Sequence, residues 1–394
     1  MNTSRYNRKN VSARAFLFVF ILATVHYPLS NAFAGGPGST SVQILKTDMS
    51  PRAMGMGGCF VAIADDVYSA NYNPAGLGQL YIPEASAMYL SGFEDSKLQY
   101  LAFGMPLPII GLVGLEKPGL AVSAVFSQNG RFTERRINSN GTVSPSIMDA
   151  ETNKVFALTY GEKIYSAESN MGGYNAKIEQ YLGLSAKYIG SELLGEYSAS
   201  AFAMDAGWLV REPNLGLTFG AALSNYGPGI KYLKETEPLP SILRLGLSYQ
   251  RPTIMDQSVL LTFESDTYIN ENLKSFRAGL EYHFEKVFNF RLGYKALEDN
   301  KGPAIGLGIR HEGFALDFAM SLGNEVFNTS QVAVTYKFTN WLLGEYKQNV
   351  QYRDQEENRP QPAKTIKPAR NEPARPMKPK TAPAKKDSDF FMLY

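Results

Sequence analysis

Residues 51–78 of this chain read PRAMGMGGCFVAIADDVYSANYNPAGLG, and they are the most informative part of the sequence. Their glycines allow the backbone to turn tightly and to approach other chain segments closely. Asp65 and Asp66 are typical of a turn, and Pro74 disfavours the α-helical conformation at Asn73. The residues alone therefore predict a compact, weakly helical segment. Within it, Cys59 is expected to be a small buried residue, with a reactive thiol as the alternative.

The order of these residues resembles the N-terminal plug of PorV/PorQ-type outer-membrane β-barrels, and the Asn-Pro-Ala part is similar to the hatch of FadL-type long-chain fatty-acid transporters. The residues that carry the resemblance are Arg52, Met54, Gly55, Gly57, Gly58, Asp65, Asp66, Asn73, Pro74, Ala75 and Gly76. A second stretch, LSNYGP at 223–228 followed by LPSILRLGLSY at 239–249, resembles a mid-barrel signature of PorV/PorQ proteins. Together the resemblance covers about residues 45–338. It implies an all-β fold, a transmembrane antiparallel β-barrel closed by an N-terminal plug.

The start of the chain predicts export. Basic residues precede an apolar run at 15–25, and Ala32-Phe33-Ala34 forms an A-x-A cleavage site. We therefore expect a signal peptide at 1–34, a plug at 35–84, a barrel at 85–338 and a tail at 339–394. No later segment offers about 18 uninterrupted apolar residues, the length a spanning helix needs. The single cysteine excludes an internal disulfide framework.

Residues 85–338 repeat segments of alternating apolar and polar residues, which is the pattern of membrane strands. In one example, Phe276 and Leu280 alternate with Arg277 and Glu281, so that apolar side chains face lipid and polar ones face the lumen. The segments number about 14, centred near residues 86, 98, 120, 155, 182, 201, 217, 245, 261, 278, 290, 306, 316 and 334. Barrels of 12 or 16 strands remain alternatives.

A barrel with both ends in the periplasm predicts short connections after even-numbered strands and longer ones after odd-numbered strands. The sequence indicates tight turns at 211–214, 285–286 and 311–312, and long connections at 130–151 and 227–240. Two segments depart from the rule, a long connection at 163–177 and a short one at 194–196.

The predicted last strand, residues 331–338, ends in an aromatic residue. Val334, Tyr336 and Phe338 share one face of it, which resembles the assembly signal of outer-membrane barrels. The resemblance implies the barrel-assembly machinery and outer-membrane lipid as partners. Beyond it, Trp341 stands where an interfacial aromatic is expected.

Charged residues at inward positions are candidates for the barrel lumen. They are Arg244, Glu264, Arg277, Glu281, Asp317 and Lys337. The preferred interpretation is a network that solvates the lumen and holds the plug, and the alternative is direct contact with a substrate. His283 is expected to be a hydrogen-bonded lumen residue.

The net charge and the motifs of the sequence argue against several classes of function. A net charge of +2 argues against a nucleic-acid surface on the main domain. No His and Cys cluster has metal-ligand spacing, and no nucleophile elbow follows a predicted strand. We therefore expect neither an enzyme nor a bound cofactor or metal.

The end of the sequence changes character. Residues 355–386 are rich in Pro, Lys, Arg, Glu and Ala, a composition that predicts a disordered periplasmic tail. The chain then ends in the apolar cluster DFFMLY at 389–394. One hypothesis is that this tip docks on a periplasmic partner, and the alternative is an end without a specific role.

Two functions follow from the resemblance. PorV-like members imply a component or shuttle in type IX-like protein secretion, whose partners would be secretion-system proteins or secreted cargo. FadL-like members imply transport of hydrophobic small molecules such as long-chain fatty acids. The plug is a movable gate in one interpretation and a permanent filling in the other. A soluble all-β sandwich or propeller is the structural alternative.

Overall fold

The computed structural model describes residues 36, 38–92, 96–171, 174–252, 257–297, 301–323 and 328–339. The predicted signal peptide, Trp341 and the apolar end at 389–394 lie outside the described residues, as does the predicted tail beyond residue 339.

Fourteen antiparallel strands form a closed barrel, which confirms the predicted fold class. The strands are β1 (Glu84–Ser91), β2 (Lys97–Pro106), β3 (Gly119–Ile137), β4 (Val143–Met171), β5 (Tyr174–Leu193), β6 (Tyr197–Glu212), β7 (Leu217–Tyr226), β10 (Ile242–Pro252), β11 (Ser258–Tyr268), β12 (Leu273–Phe284), β13 (Phe288–Ala296), β14 (Gly302–His311), β15 (Phe314–Ser321) and β16 (Thr329–Lys337). A small hairpin of β8 (Ile230–Lys231) and β9 (Thr236–Glu237) stands apart from the barrel sheet. Each strand pairs with its neighbours in sequence, and β1 pairs with β16 to close the barrel. The alternatives of 12 and 16 strands are wrong.

The barrel has two ends. We call end B the one where β1 begins and β16 ends, and end A the opposite one, where β1 turns into β2. At end A, residues 130–151 are not the predicted long connection, because β3 and β4 continue as a paired ribbon to the turn at 138–142. At end B, residues 163–177 are likewise almost entirely strand, in β4 and β5. Polar residues stand on both faces of these ribbons beside exposed apolar ones such as Ile137 and Ile147, so the regular apolar alternation that marks the barrel strands stops before the strands do.

Also at end B, one connection is longer than the sequence predicts. Residues 107–118 form a long connection between β2 and β3, where the rule for even-numbered strands predicts a short one. Phe338, expected in the last strand, follows it instead, and its N–H donates to the carbonyl of Pro83 at 2.9 Å.

The barrel strands have an apolar outer face and an inner face that is buried. On β15, Phe314, Leu316 and Phe318 are exposed, whereas Ala315 and Asp317 are buried. Aromatic rings pair on the outer face towards each end, as in the aromatic girdles of membrane barrels. Ring centroids lie 4.5 Å apart for Phe314 and Tyr336 and 5.9 Å apart for Trp208 and Phe219 towards end B, and 5.5 Å apart for Tyr188 and Phe202 towards end A. In the described part of the chain, no helix is long and apolar enough to cross a membrane.

Residues 38–83, which we call the inner segment, lie inside the barrel. They contain a 3₁₀ helix (Gln43–Lys46), two short α-helices (Pro51–Gly55 and Ser69–Tyr72) and a second 3₁₀ helix (Pro74–Gln79). Near end A the N–H of Ser41 donates to the carbonyl of Pro238 at 3.0 Å, and at end B the segment leads into β1. The inner segment therefore runs through the whole length of the barrel.

Candidate functional site

The candidate site is the contact between the inner segment and the barrel wall, and local capping shapes the segment. Ser50 caps the helix that begins at Pro51, where a proline costs no helical hydrogen bond. Asn73 caps the 3₁₀ helix that begins at Pro74, and its Nδ2 donates to the carbonyl of Val61 at 2.8 Å. The Asn-Pro pair of the motif thus ties the middle of the inner segment to its end.

Wall glycines let the inner segment lie directly on the strand backbones. Gly119, Gly161, Gly183 and Gly207 are direct neighbours across β3 to β6. A Cβ on Gly183 would overlap the backbone of Pro74, so a larger residue there cannot coexist with this packing. Further wall glycines in backbone contact with the inner segment are Gly220, Gly279, Gly293 and Gly306.

Arg52 links the inner segment to the wall by ion pairs. Its guanidinium lies 2.8 Å from the Glu281 carboxylate on β12, 2.5 Å from that of Asp65 and 3.5 Å from that of Asp66. Arg291 on β13 contacts the same Glu281 oxygen at 3.0 Å. Arg52 and Glu281 are both buried, so removing Arg52 takes one of two guanidinium groups away from a desolvated carboxylate.

A second network surrounds Asp48 of the inner segment. The Asp48 carboxylate is 3.1 Å from Lys295 Nζ and 3.6 Å from the Arg277 guanidinium. Arg277 in turn pairs with Asp266 at 3.0 Å. This network attaches the start of the inner segment to β11, β12 and β13.

Glu264 on β11 holds the inner segment through its backbone. One carboxylate oxygen accepts the N–H groups of Phe60 and Val61 at 2.8 and 2.9 Å. Because two adjacent backbone donors share this one acceptor, a single side chain holds two consecutive residues of the inner segment. This contact fixes the inner segment just after its glycine motif.

The six candidate lumen residues all lie on the inner face, but they do not form one cluster. Glu264 and Arg277 contact the inner segment around Asp48 and Phe60, and Glu281 contacts Arg52. The other three pair with wall residues: Arg244 with Asp266 at 3.5 Å, Asp317 with Arg291 at 2.6 Å, and Lys337 with Glu84 at 2.7 Å.

The remaining residues named in the sequence analysis lie in the inner segment and on β16. Met54, Gly55, Gly57, Gly58, Ala75 and Gly76 are buried in the inner segment. Gly57 and Gly58 have φ angles of 70° and 89°, which favour glycine. Val334 and Tyr336 lie on the outer face of β16, as the sequence predicts. Their role in assembly stays a prediction.

Sequence reasoning missed several charged partners. They are Asp48, Glu84, Lys187, Asp205, Arg291 and Lys295. Five of them stand at inward positions of barrel strands, so strict alternation could have found them. Asp48 is in an irregular part of the inner segment, where no sequence pattern indicates its burial.

Burial changes the acidity of two groups in the inner segment. Burial, together with the neighbouring Asp65 carboxylate, raises the pKa of Asp66 to about 7, although Arg52 acts in the opposite direction. Burial also raises the pKa of the Cys59 thiol, and the charge of Glu264 adds to this effect. Cys59 is completely buried, so the structure places it as a packing residue.

The wall opposite the charged networks contains an apolar row, flanked by buried polar side chains such as Ser86 and Lys187. A continuous row of inward side chains crosses six strands, each the direct partner of the next. This apolar row consists of Met88, Tyr100, Val125, Val155, Ile189 and Ala201, all buried. The Tyr68 ring of the inner segment stacks on Tyr100 with centroids 5.4 Å apart. The row belongs to one apolar cluster with the inner segment.

The site has no arrangement typical of metal chemistry. Among the described residues, no group of three or more His, Cys, Asp or Glu side chains could hold a metal ion. His283 lies beside Glu281, with Nε2 2.7 Å from Oε1, and its Nδ1 contacts Asn289 Oδ1. These contacts fit a hydrogen-bonded lumen residue.

No protein-family profile matches this sequence, and no curated protein matches it either. Solved structures show distant likeness. The toluene transporter TbuX of Ralstonia pickettii is 13% identical with a TM-score of 0.43, and the match covers 73% of this chain and 97% of that one. The P. putida toluene transporter TodX is 10% identical with a TM-score of 0.43, over 73% and 97% of the chains. A Pseudomonas aeruginosa FadL homologue is 10% identical with a TM-score of 0.42, over 73% and 98%.

Proposed function

We propose that this protein is a non-enzymatic outer-membrane barrel that lets hydrophobic small molecules pass between the inner segment and the apolar row of the wall. The apolar row is the observation that carries the proposal, because it crosses β1 to β6 without a charged side chain. A hydrophobic molecule that replaced the inner segment there would exchange one apolar contact for another.

The outer surface supports a place in a membrane. Large apolar side chains are exposed along the strands, and a soluble protein rarely exposes so large an apolar surface. A closed barrel satisfies its backbone hydrogen bonds within the sheet, which a lipid environment requires. In the proposed orientation, end B, where the first and last strands meet, faces the periplasm.

The two walls hold the inner segment with different strength. Parting it from β11 to β13 breaks buried ion pairs of Arg52 and Asp48, and removing one partner of such a pair costs about 3–5 kcal/mol. Parting it from the apolar row separates apolar surfaces such as the rings of Tyr68 and Tyr100. We therefore place the path on the apolar side, with the charged side as the fixed attachment.

Uptake by cells tests this proposal, because the lipopolysaccharide of an intact outer membrane excludes hydrophobic compounds. Deleting the protein should lower uptake of radiolabelled hydrocarbons or long-chain fatty acids, and the unmodified chain should restore it. Ile189→Asp puts a charge in the apolar row and should not restore uptake. Ala201→Phe should also reduce it, while keeping the wall apolar.

A matched control is Ile147→Asp, the same exchange at an exposed site on the β3–β4 ribbon. Heat-modifiable mobility in gels checks that each variant has folded. Normal uptake with a folded Ile189→Asp variant would remove the proposed path, and normal uptake after deletion would remove the transport function.

The sequence supports a second candidate function, that of an outer-membrane component in type IX-like secretion. The supporting observation is the resemblance at 52–76 and 239–249 to PorV/PorQ proteins. In this case the inner segment would be a permanent filling, held by the wall glycines. Affinity purification from detergent-solubilised membranes separates the two: stoichiometric secreted proteins or secretion components favour this candidate, and a bound apolar ligand without protein partners favours transport.

A further inference from the structure

Residues 107–118, which we call the rim loop, form an apolar loop at end B. The loop has the sequence LPIIGLVGLEKP, with no charged residue before Glu116. Its large side chains point into the surroundings: Ile110 is 73% exposed and Leu112 is 91% exposed, and Ile109, Val113 and Leu115 are exposed as well. This is an unusual surface for a loop in contact with water alone.

The rim loop is attached to the outer face of the barrel. Glu162 on β4 follows the inward Gly161 and pairs across the sheet with the exposed Leu182, so its side chain starts on the lipid-facing side. Its carboxylate accepts the N–H groups of Leu112 at 3.0 Å and Val113 at 2.8 Å. These two donors satisfy a carboxylate that would otherwise face lipid without hydrogen bonds, at a high cost in free energy.

Three further contacts strengthen this attachment. Tyr160 Oη donates to the same Glu162 carboxylate at 2.8 Å. A Cβ on Gly111 would overlap the Glu162 side chain, so the loop backbone lies directly over it. Past the turn, Glu116 pairs with Lys163 Nζ at 2.7 Å. The rim loop is thus clamped over the edge of β4, at the point where pairing with β3 ends.

We propose that the rim loop is a lipid anchor that inserts its apolar side chains into the boundary between headgroups and acyl chains at end B. The inference rests on the proposed membrane placement of the barrel. The lipid-facing wall continues into the loop, because Phe103 lies on the outer face of β2 just before it. The loop fixes the depth of the barrel and keeps the edge of β4 covered.

The test uses full-length protein in vesicles of phosphatidylethanolamine and phosphatidylglycerol. Leu112→Cys is labelled with an environment-sensitive fluorophore, and nitroxide-bearing lipids quench it at known depths. The native Cys59 is completely buried, so the unmodified chain serves as a blank. Leu158→Cys, on the outer face of β4, reports the lipid core, and Glu285→Cys, in the exposed turn after β12, reports water at end B.

A fluorophore at Leu112 should show blue-shifted emission. Nitroxides at the headgroup level should quench it at least about twofold more strongly than a fluorophore at Glu285. A water-like signal at Leu112 together with mid-chain quenching at Leu158 would overturn the anchor and leave the membrane barrel intact. A water-like signal at Leu158 too would overturn the membrane placement itself. Glu162→Gln weakens the attachment and should reduce quenching at Leu112 but not at Leu158; unchanged quenching would contradict the clamp.

Discussion

The two walls of this barrel hold the same inner segment by different forces. On β11 to β13, buried carboxylates and guanidinium groups contact it through directional bonds of about 3 Å. On β1 to β6, the apolar row meets it through side-chain packing and glycines meet it through backbone contact, while Glu84 and Ser86 add single hydrogen bonds. Ion pairs in a dry interior lose most of their energy when one partner leaves, whereas apolar contacts can be exchanged for those of another apolar molecule.

The path proposed above depends on this difference. An inner segment held equally on all sides would open only by losing every contact at once. Here the charged wall can keep the segment in place while the apolar wall parts from it. The predictions below test whether the two walls differ in this way, and they run from the largest expected effect to the smallest.

The largest effect is expected at Arg52. Arg52→Met keeps an apolar stem but removes one of the two guanidinium groups at Glu281 and the guanidinium partner of Asp65, and the free energy of unfolding should fall by about 3 kcal/mol. Urea titration of the protein in detergent micelles measures the change. Arg136→Met, at an exposed site on the β3–β4 ribbon, is the control and should have little effect. If both variants behaved alike, the charged wall would not be the main attachment.

The second prediction concerns pH at the same attachment. Asp66 has a pKa of about 7 in the folded chain, above the value of 3.8 expected for an exposed carboxyl. Between these values the folded state binds the extra proton, so its contribution to stability is complete below pH ~4 and is lost as pH rises towards 7.

Asp66→Asn keeps an acceptor for the N–H of Tyr68 and removes this titration. Relative to the unmodified chain, the variant should therefore gain stability between pH 5 and pH 8, by up to a few kcal/mol. Hydrogen exchange of residues 60–80 at the two pH values provides the measurement. Asp149→Asn on the β3–β4 ribbon is the control, and an equal pH dependence in the Asp66 variant and the unmodified chain would contradict the assignment.

Much of the barrel could be predicted from the sequence, because each strand exposes one face to an apolar environment. All fourteen predicted segment positions fall within barrel strands. The ribbons at 130–151 and 163–177 could not be recognised, since beyond the barrel polar residues stand on both strand faces and the regular apolar alternation is lost. The rim loop was missed for the opposite reason: its apolar run at 107–115 carries no alternation.

The candidate site was less predictable. The six lumen residues were recognisable because a charge at an inward strand position is conspicuous. Their division into networks depends on Asp48 and Arg52, which approach the wall only once the inner segment is folded. The apolar row was not predicted either. Val155 and Ile189 stand on strands whose outer face is also apolar, for example at Phe156 and Tyr188. Only the register between strands joins them into one surface.

The third prediction tests the backbone contact near end B. Gly183→Val would place a branched side chain against Pro74, and overpacking of this kind costs about 1–3 kcal/mol. Gly190→Val is the matched control on the same strand, since the nearest atom to its added Cβ lies 3.8 Å away. Urea titration of both variants measures the difference. Equal stabilities would mean that the inner segment yields easily even where it touches the wall backbone.

The smallest effect is expected at Ser86, a polar position beside the apolar row. Its Oγ lies 2.5 Å from Tyr68 Oη and 2.9 Å from Thr335 Oγ1, so it joins the inner segment to the seam between β1 and β16. Ser86→Ala should cost about 0.5–1.5 kcal/mol, and Ser200→Ala on the outer face of β6 should cost less. If the inner segment moves away from the apolar wall during transport, the loss of this bond should also raise hydrocarbon uptake by cells. A stability loss without faster uptake would indicate that the segment stays against this wall, and that the path must be sought elsewhere.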